Sequence, residues 1–565
     1  MSTQDNIQTD TPVRVLVIGA GPAGLINART LIDDGFSVTM VAKESTVGGC
    51  WANTYPNLTT NSPWGAFTFS GLDMPKPSNW DGAVVPARTY QRYLEDFYEW
   101  FVKDKVQIHF KTEVVTLSPR PDGARGWDVL LKNENGQTKA SFDMVVIAAG
   151  FLGKPRLPPI LESSPITVYH SSELAFPQPL ERLLDAVSAS SEEPTLQGDA
   201  ETILVVGGGK SGMDIAALLA NRGRKVIWSF KGPLKWFAPT VAPGMLGANR
   251  LDILMGPSRI IDSWPMWFFH CTRYGAKSVK AFWTMVGGFW KTQYNESIPA
   301  PDTDPFIALP HFAGGISSRP TDFIPLVNAG KIAVMTNGTL SSISSDSVIY
   351  STPHGERVVR CGAIVAATGY KGGMYDFIDG DVRRELGLER EPPAEGWENR
   401  VKTMRNRWTT ISTPPGFQDK QVYQSMVFRG LLPVGRFTQK DLAVVGGTRP
   451  FSIPAITYEV ESHWISSLFK DDPFMRLAKT KQELIEEINT DNEYNIARYP
   501  GIDPYVSLFR FVFLNVFLCF CHSVILSFCH SVILSFCHSV ILSFYHSGCF
   551  ASTSISVVVR TNSNT

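Results

Sequence analysis

Two glycine turns in the same register constrain this chain more than any other feature. The first lies in VRVLVIGAGPAGLINART (13–30), with Gly19, Gly21 and Gly24, and the second in ILVVGGGKSGMDIA (203–216), with Gly207, Gly209 and Gly212. Each follows a short apolar run and opens into helix-like sequence; after the first, FSVTMV (36–41) reads as a further strand. The first glycine of such a turn permits the tight bend, the second lets backbone approach a pyrophosphate, and the third allows close helix–strand packing. A plain strand–turn–helix crossover does not need three glycines, each of which costs conformational entropy. Two such turns ask for two dinucleotide folds, and 565 residues leave room for about two to four domains.

Charge and cysteine usage remove other classes. With 52 basic against 53 acidic residues the formal charge is −1, which offers no surface for nucleic acid. Of eight cysteines only Cys50, Cys271 and Cys361 precede the last fifty residues, and no CxxC pair occurs. That excludes a dithiol reductase by motif and a disulfide framework by number, so a reducing, cytoplasmic setting is expected. The opening MSTQDNIQTDTP has neither the basic end nor the apolar stretch of a secretory signal.

Past the second strand comes AKESTVGGCWANTYPNLTTNSP (42–63). Gly48, Gly49 and Trp51 match the GGxW stretch of the flavin-containing monooxygenase family, and Thr59–Pro63 matches the loop that follows it. The chain resembles that family, in its class B, FAD- and NADPH-dependent form of fungal secondary-metabolism type, through most of its length. The resemblance implies that Gly19, Gly21 and Gly24 hold FAD and that Gly49 and Trp51 run along the flavin. It also implies that Thr60 and Asn61 lie beside the isoalloxazine ring, with Asn61 the catalytic candidate that hydrogen-bonds the oxygen adduct. One departure is Ala42, which stands where the family has its ribose-binding acid. Glu44 is the substitute if the strand continues, because alternate strand residues share a face.

GGGKSGMDIA (207–216) matches the family's second fingerprint, which binds NADPH, so Gly207, Gly209, Ser211 and Gly212 are expected beneath its pyrophosphate. Cations follow on the next strand: Arg224 and Lys225 just before it, Lys231 and Lys235 after it. A cation there pairs with a 2′-phosphate where NAD would want an acid, and Lys231 is the candidate. As solvated loop charges Lys231 and Lys235 are equally well explained. The segments DMVVIAAGFLGKPRLP (143–158) and GAIVAATGYKGG (362–373) resemble the family's two crossings between its FAD and NADPH domains. The second supplies Thr368 and Gly369 as further cofactor-binding candidates. Here Gly362 replaces the family's usual acid.

The expected fold is α/β, with two Rossmann-like dinucleotide-binding domains, the FAD domain discontinuous and the NADPH domain inserted, plus an aromatic-rich helical insertion. The boundaries read as a first FAD segment at 11–175, a linker at 176–200, the NADPH domain at 201–335 with the insertion at 240–310, and a second FAD segment at 336–500. Between Trp228 and Tyr294 lie six of the fourteen tryptophans. They read as an inserted helical pair whose aromatics pack, with an apolar lid over the substrate or a membrane-docking face as the other readings. LAVVGGTRPFSIPAITYEVESHWISSLF (442–469) reads as strand, turn and helix, and the resemblance aims that helix at the flavin's pyrimidine edge.

His170 in SPITVYHSSEL (164–174) keeps only some of the family's F-x-G-x-x-x-H motif, because Ser164, Ile166 and Leu174 replace its other members; it is read as structural rather than as a base. The implied reaction uses NADPH and O2 to oxygenate a small apolar metabolite through a C4a-hydroperoxyflavin. Baeyer–Villiger oxygenation, or NADPH oxidation without oxygen transfer, stands as the alternative. Beyond 507 the octapeptide CHSVILSF recurs in three identical copies (521–544). Structural repeats drift in sequence and run to ~20 residues or more, so translated repeat in place of a native terminus is expected. A bilayer anchor is the other reading, since the charge-free run exceeds ~20 residues, and membrane association is expected only on that reading.

Overall fold

The computed structural model describes residues 12–499, apart from 61–63, 77–83, most of 233–262, scattered positions between 293 and 318, 413–421 and 447–453. Asn61, Lys235 and the whole repetitive tail therefore lie outside the described residues.

Each glycine turn sits at the end of the central strand of its own five-stranded parallel sheet. In the first sheet Arg14–Ile18 is flanked by Ser37–Val41 and Met144–Ile147, with Gln107–His109 and Leu442–Val444 outside them. In the second, Thr202–Val206 is flanked by Lys225–Ser229 and Ala363–Ala366, with Ile332–Met335 and Val168–His170 outside. The two layouts correspond strand for strand. The connectivity does not: the first sheet draws its outer strand from the end of the chain, and the second draws its own from before its first strand.

Both sheets are buried on two faces, which is why their central strands are continuous apolar runs. Helix Pro22–Asp33 covers one face of the first sheet together with Ala87–Phe101 and Pro454–Phe469. The meander Glu113–Pro119, Trp127–Asn133, Gly136–Phe142 covers the other. The second sheet repeats the arrangement, with helix Lys210–Ala220 on one side and the meander Thr339–Ile343, Ser347–Thr352, Gly355–Arg360 on the other.

These pairings move the expected boundaries. Val168–His170, expected in the first FAD segment, is an edge strand of the second sheet. The expected linker at 176–200 contains helix Pro177–Ala186, whose Leu180 and Leu183 lie in the second core. Residues 339–366, expected in the second FAD segment, also belong to the second fold. The apolar run at 363–366 was legible as a strand; the sheet it joins, and the strands at 168–170 and 339–360, were not.

The expected helical pair is present as Trp264–Cys271 and Arg273–Lys291, joined by Thr272. Its inner side packs through Trp283 and Trp290 on Trp408 and Ile411 and on Ile496 of the last described helix, Lys481–Arg498.

Candidate dinucleotide sites

At the first turn Gly19 has φ +111°, and a Cβ there would lie 2.4 Å from the Ala148 carbonyl oxygen. At the second, Gly207 has φ +137°, and a Cβ would lie 2.1 Å from the carbonyl oxygen of Ala367. The third glycines behave alike as well: a Cβ on Gly24 would meet the Gly19 carbonyl at 2.1 Å, and one on Gly212 the Gly207 carbonyl at 2.1 Å. These four positions are therefore demanded by the fold itself.

The middle glycines are different. A Cβ on Gly209 would meet nothing within 4 Å, and one on Gly21 would reach only the Gly49 backbone, at 3.6 Å. Among the described residues nothing excludes a side chain at Gly209, so the space above it is open for a ligand. Helices Pro22–Asp33 and Lys210–Ala220 start directly after Gly21 and Gly209, and neither is capped by a side chain. Each first turn thus faces a glycine-lined hollow that suits a pyrophosphate, although Gly212 N already donates to the Gly209 carbonyl at 3.1 Å.

The GGxW segment closes the first hollow. Gly48 donates its N–H to the Ala20 carbonyl at 2.8 Å, and Gly49, at φ +59°, stands over Gly21. Trp51 lies edge-on to Phe67 and Tyr90, at 5.8 and 4.9 Å between ring centroids. Thr60 is buried, with its hydroxyl accepting from Val85 N at 2.9 Å. The strand ends at Val41, so the alternation that would turn Glu44 toward position 42 stops short; the backbone of Glu44 instead accepts from Lys111.

On the second strand the cations separate cleanly. Lys225 is buried and pairs with Glu192 at 2.7 Å and Asp199 at 2.8 Å, contacts that raise its pKa. Arg224 donates to the carbonyls of Leu184 and Arg222. Lys231 is exposed and makes no ion pair among the described residues.

The two crossings pair with each other, Lys154–Pro155 running antiparallel to Tyr370–Lys371. Thr368 donates its hydroxyl to the Arg156 carbonyl, and Gly369, at φ +80°, accepts from Arg156 N at 2.9 Å. His170 Nε2 donates to the same Gly369 carbonyl at 3.0 Å, while Nδ1 accepts from Ser172. Both ring nitrogens are thereby occupied, and burial lowers the pKa of the imidazole. That is a structural histidine tying the crossing to the second sheet. Gly362 likewise has a reason, because a Cβ there would lie 2.2 Å from the Ala200 carbonyl oxygen, leaving no room for an acid.

Sequence reasoning missed a knot between the folds. Lys210 Nζ contacts both Asp214 carboxylate oxygens, at 2.9 and 2.8 Å, and Thr59 Oγ1 at 3.4 Å. Tyr55 donates to the same carboxylate at 3.0 Å, and Asn57 donates to the Asp214 carbonyl at 2.6 Å. Burial raises the pKa of Asp214 while Lys210 and Tyr55 oppose the shift. The i,i+4 spacing of lysine and aspartate in KSGMD was the available signal. A lysine in the first turn opposes the helix dipole. Here it is held by Asp214, next to the open hollow.

A family model described as pyridine nucleotide-disulphide oxidoreductase matches residues 13–231. Among curated relatives, thiol-specific monooxygenase of Saccharomyces cerevisiae is 29% identical over 235 residues, 39% of this chain and 50% of that protein. Flavin-containing monooxygenase 3 of Canis lupus familiaris is 23% identical over 482 residues, 81% of this chain and 74% of that one. Over these stretches the chain is similar to flavin-containing monooxygenases. It spans about half the length of the first relatives it matches. Oxidized steroid monooxygenase bound to NADP shares its fold, at 15% identity and a TM-score of 0.53 over 87% of this chain and 92% of that one. Flavin-containing monooxygenases use FAD and NADPH, and the present chain has two glycine turns of matching geometry, each leading into an uncapped helix. Among the described residues it has no cluster able to hold a metal ion.

Proposed function

We propose that this chain is an FAD-dependent monooxygenase that uses NADPH and O2 to oxygenate a small apolar metabolite, in secondary-metabolite biosynthesis. The observation that carries the reading is the pair of uncapped glycine turns on two matching sheets joined by paired crossings, the second with open space at Gly209. An oxidase that merely discharged electrons to O2 would not need the second fold. Bound FAD supplies hydride acceptance and oxygen activation. The chain's own task is to bind, align and exclude water. Gly21, Gly49 and the first helix N-terminus hold one pyrophosphate, while Gly209, Ser211 and the second helix N-terminus hold the other. The knot of Tyr55, Asn57, Lys210 and Asp214 fixes the segment leading to Asn61 against the nucleotide helix, so filling of the second hollow is felt beside the first.

The test is coupling. Purified enzyme supplied with NADPH, O2 and an extract of candidate apolar metabolites should form oxygenated product in proportion to NADPH consumed, with little hydrogen peroxide. Comparing the metabolites of a gene deletion with those of its parent names the substrate. Peroxide equal to NADPH under every substrate condition would leave only NADPH oxidation and end the oxygenation reading.

Among the described residues, Lys231 is the exposed cation after strand Lys225–Ser229 that makes no ion pair, and it is placed to meet a 2′-phosphate. A lost charge-assisted pair is worth roughly 1.5–3 kcal/mol, or about tenfold or more in affinity. Lys231→Ala should therefore reduce the ratio of kcat/KM for NADPH over NADH about tenfold, chiefly through KM for NADPH. Steady-state kinetics with both nucleotides decide it, and an unchanged ratio moves the phosphate contact elsewhere.

A further inference from the structure

The hairpin Trp264–Cys271 and Arg273–Lys291 has two unlike sides. Its inner side is packed, as described above. On the long helix the outer side carries Tyr274, which is 79% exposed, with Met285 and Phe289 also exposed. At ~100° per residue these three fall in one narrow arc, away from the buried Val279, Trp283, Val286 and Trp290. The short helix adds Trp264, 71% exposed, and Trp267. Trp264 stacks on its neighbour Phe268 at 5.6 Å rather than turning inward. Large apolar side chains presented together mark an interaction surface, whereas single ones need no explanation.

Charge identifies the partner. From Ser263 to Thr292 the chain has Arg273, Lys277, Lys280 and Lys291 and no Asp or Glu, although the whole chain is nearly neutral. Lys277, Lys280 and Lys291 are exposed, and by helical period they lie along one flank of the aromatic arc. Lysine is depleted from the cores of protein–protein interfaces. Tryptophan and tyrosine beside lysine are instead the composition of helices that lie in the headgroup layer of acidic bilayers.

We infer that this hairpin docks on an anionic lipid surface, its aromatic side chains at headgroup depth and its lysines against acidic headgroups. Among the described residues no helix is long and apolar enough to cross a membrane, so the docking lies on the bilayer rather than through it. The inference depends neither on the oxygenation reading nor on the repetitive tail.

The experiment is co-sedimentation of the full chain with vesicles of phosphatidylcholine alone or mixed with phosphatidylserine. Binding should favour the phosphatidylserine vesicles strongly and weaken at high salt. Each lysine near an acidic surface contributes roughly fivefold in partition. The triple variant Lys277→Glu, Lys280→Glu, Lys291→Glu should therefore lose about a hundredfold or more on mixed vesicles. Trp264→Ser with Trp267→Ser should weaken binding to both vesicle types while leaving NADPH oxidation unchanged. Binding that is indifferent to lipid charge and to both variants assigns the membrane contact to another segment and overturns the inference. Absence of binding to any vesicle, or self-association through this face without it, overturns it equally.

Discussion

Gly209→Val is expected to give a folded, yellow protein that NADPH no longer reduces. The backbone at Gly209 is extended, with φ −91° and ψ 178°, a conformation open to any residue. Apart from its chain neighbours, no atom of the described residues stands within 4 Å of the Cβ position, so the valine occupies the space a ligand would take. Loss of backbone approach at a pyrophosphate, at about 3 kcal/mol, is worth more than about a hundredfold in affinity. Stopped-flow mixing with NADPH should show flavin reduction slowed at least a hundredfold at subsaturating nucleotide, while dithionite still bleaches the flavin. Gly207→Val is the contrast: its side chain would run into the Ala367 carbonyl from a left-handed backbone, so the second fold should fail altogether. Reduction of Gly209→Val at the parental rate would show that the second hollow is not where NADPH binds.

The largest effect on stability should come from Asp441→Ala. Asp441 is fully buried at the start of the last strand of the first sheet, and Arg436 grips it bidentately, Nε to Oδ1 at 2.8 Å and Nη2 to Oδ2 at 2.5 Å. The same carboxylate accepts from Gly126 N at 2.8 Å, and the Asp441 carbonyl accepts from Trp127 Nε1 at 3.2 Å. The Arg436 guanidinium lies 5.1 Å from the Trp127 ring. Removing the acid strands a buried guanidinium and a buried N–H together, which costs about 3–5 kcal/mol. Against a typical total of ~5–15 kcal/mol that is a large share. Urea denaturation should show the loss as a fall in midpoint, or the variant should not accumulate in folded form. The double change Arg436→Met, Asp441→Leu should recover much of the stability, because no unpaired charge remains. A midpoint shift worth under ~1 kcal/mol for Asp441→Ala would mean that the pair is not closed to solvent.

The glycine turns were legible because their cause is local. The third glycine of each turn must lie against the carbonyl of the first, and that demand falls within six residues of sequence, although the carbonyls that press on Gly19 and Gly207 come from Ala148 and Ala367, far along the chain. Strands 14–18, 37–41, 202–206 and 225–229 were legible for a similar reason, since a strand buried on both faces is apolar throughout. His170 as a structural residue also followed, because its motif had already lost the neighbours that would give it another task.

Other features required the folded chain. Lys225 and Lys231 are alike in sequence, and only the positions of Glu192 and Asp199 show that the first is consumed by buried pairing, while among the described residues the second makes no ion pair. Tyr55 meets Asp214 across 159 residues of chain, a separation that no local pattern encodes. The apolar run at 442–444 announced a strand and that at 168–170 did not, and the sheet each joins depends on which neighbour offers open backbone donors and acceptors. The aromatic hairpin makes the point most sharply. Composition marked its tryptophans as apolar, yet Trp283 and Trp290 are buried while Trp264 and Trp267 face outward. Hydrophobicity states what a side chain avoids; the tertiary packing decided which of these found cover within the chain.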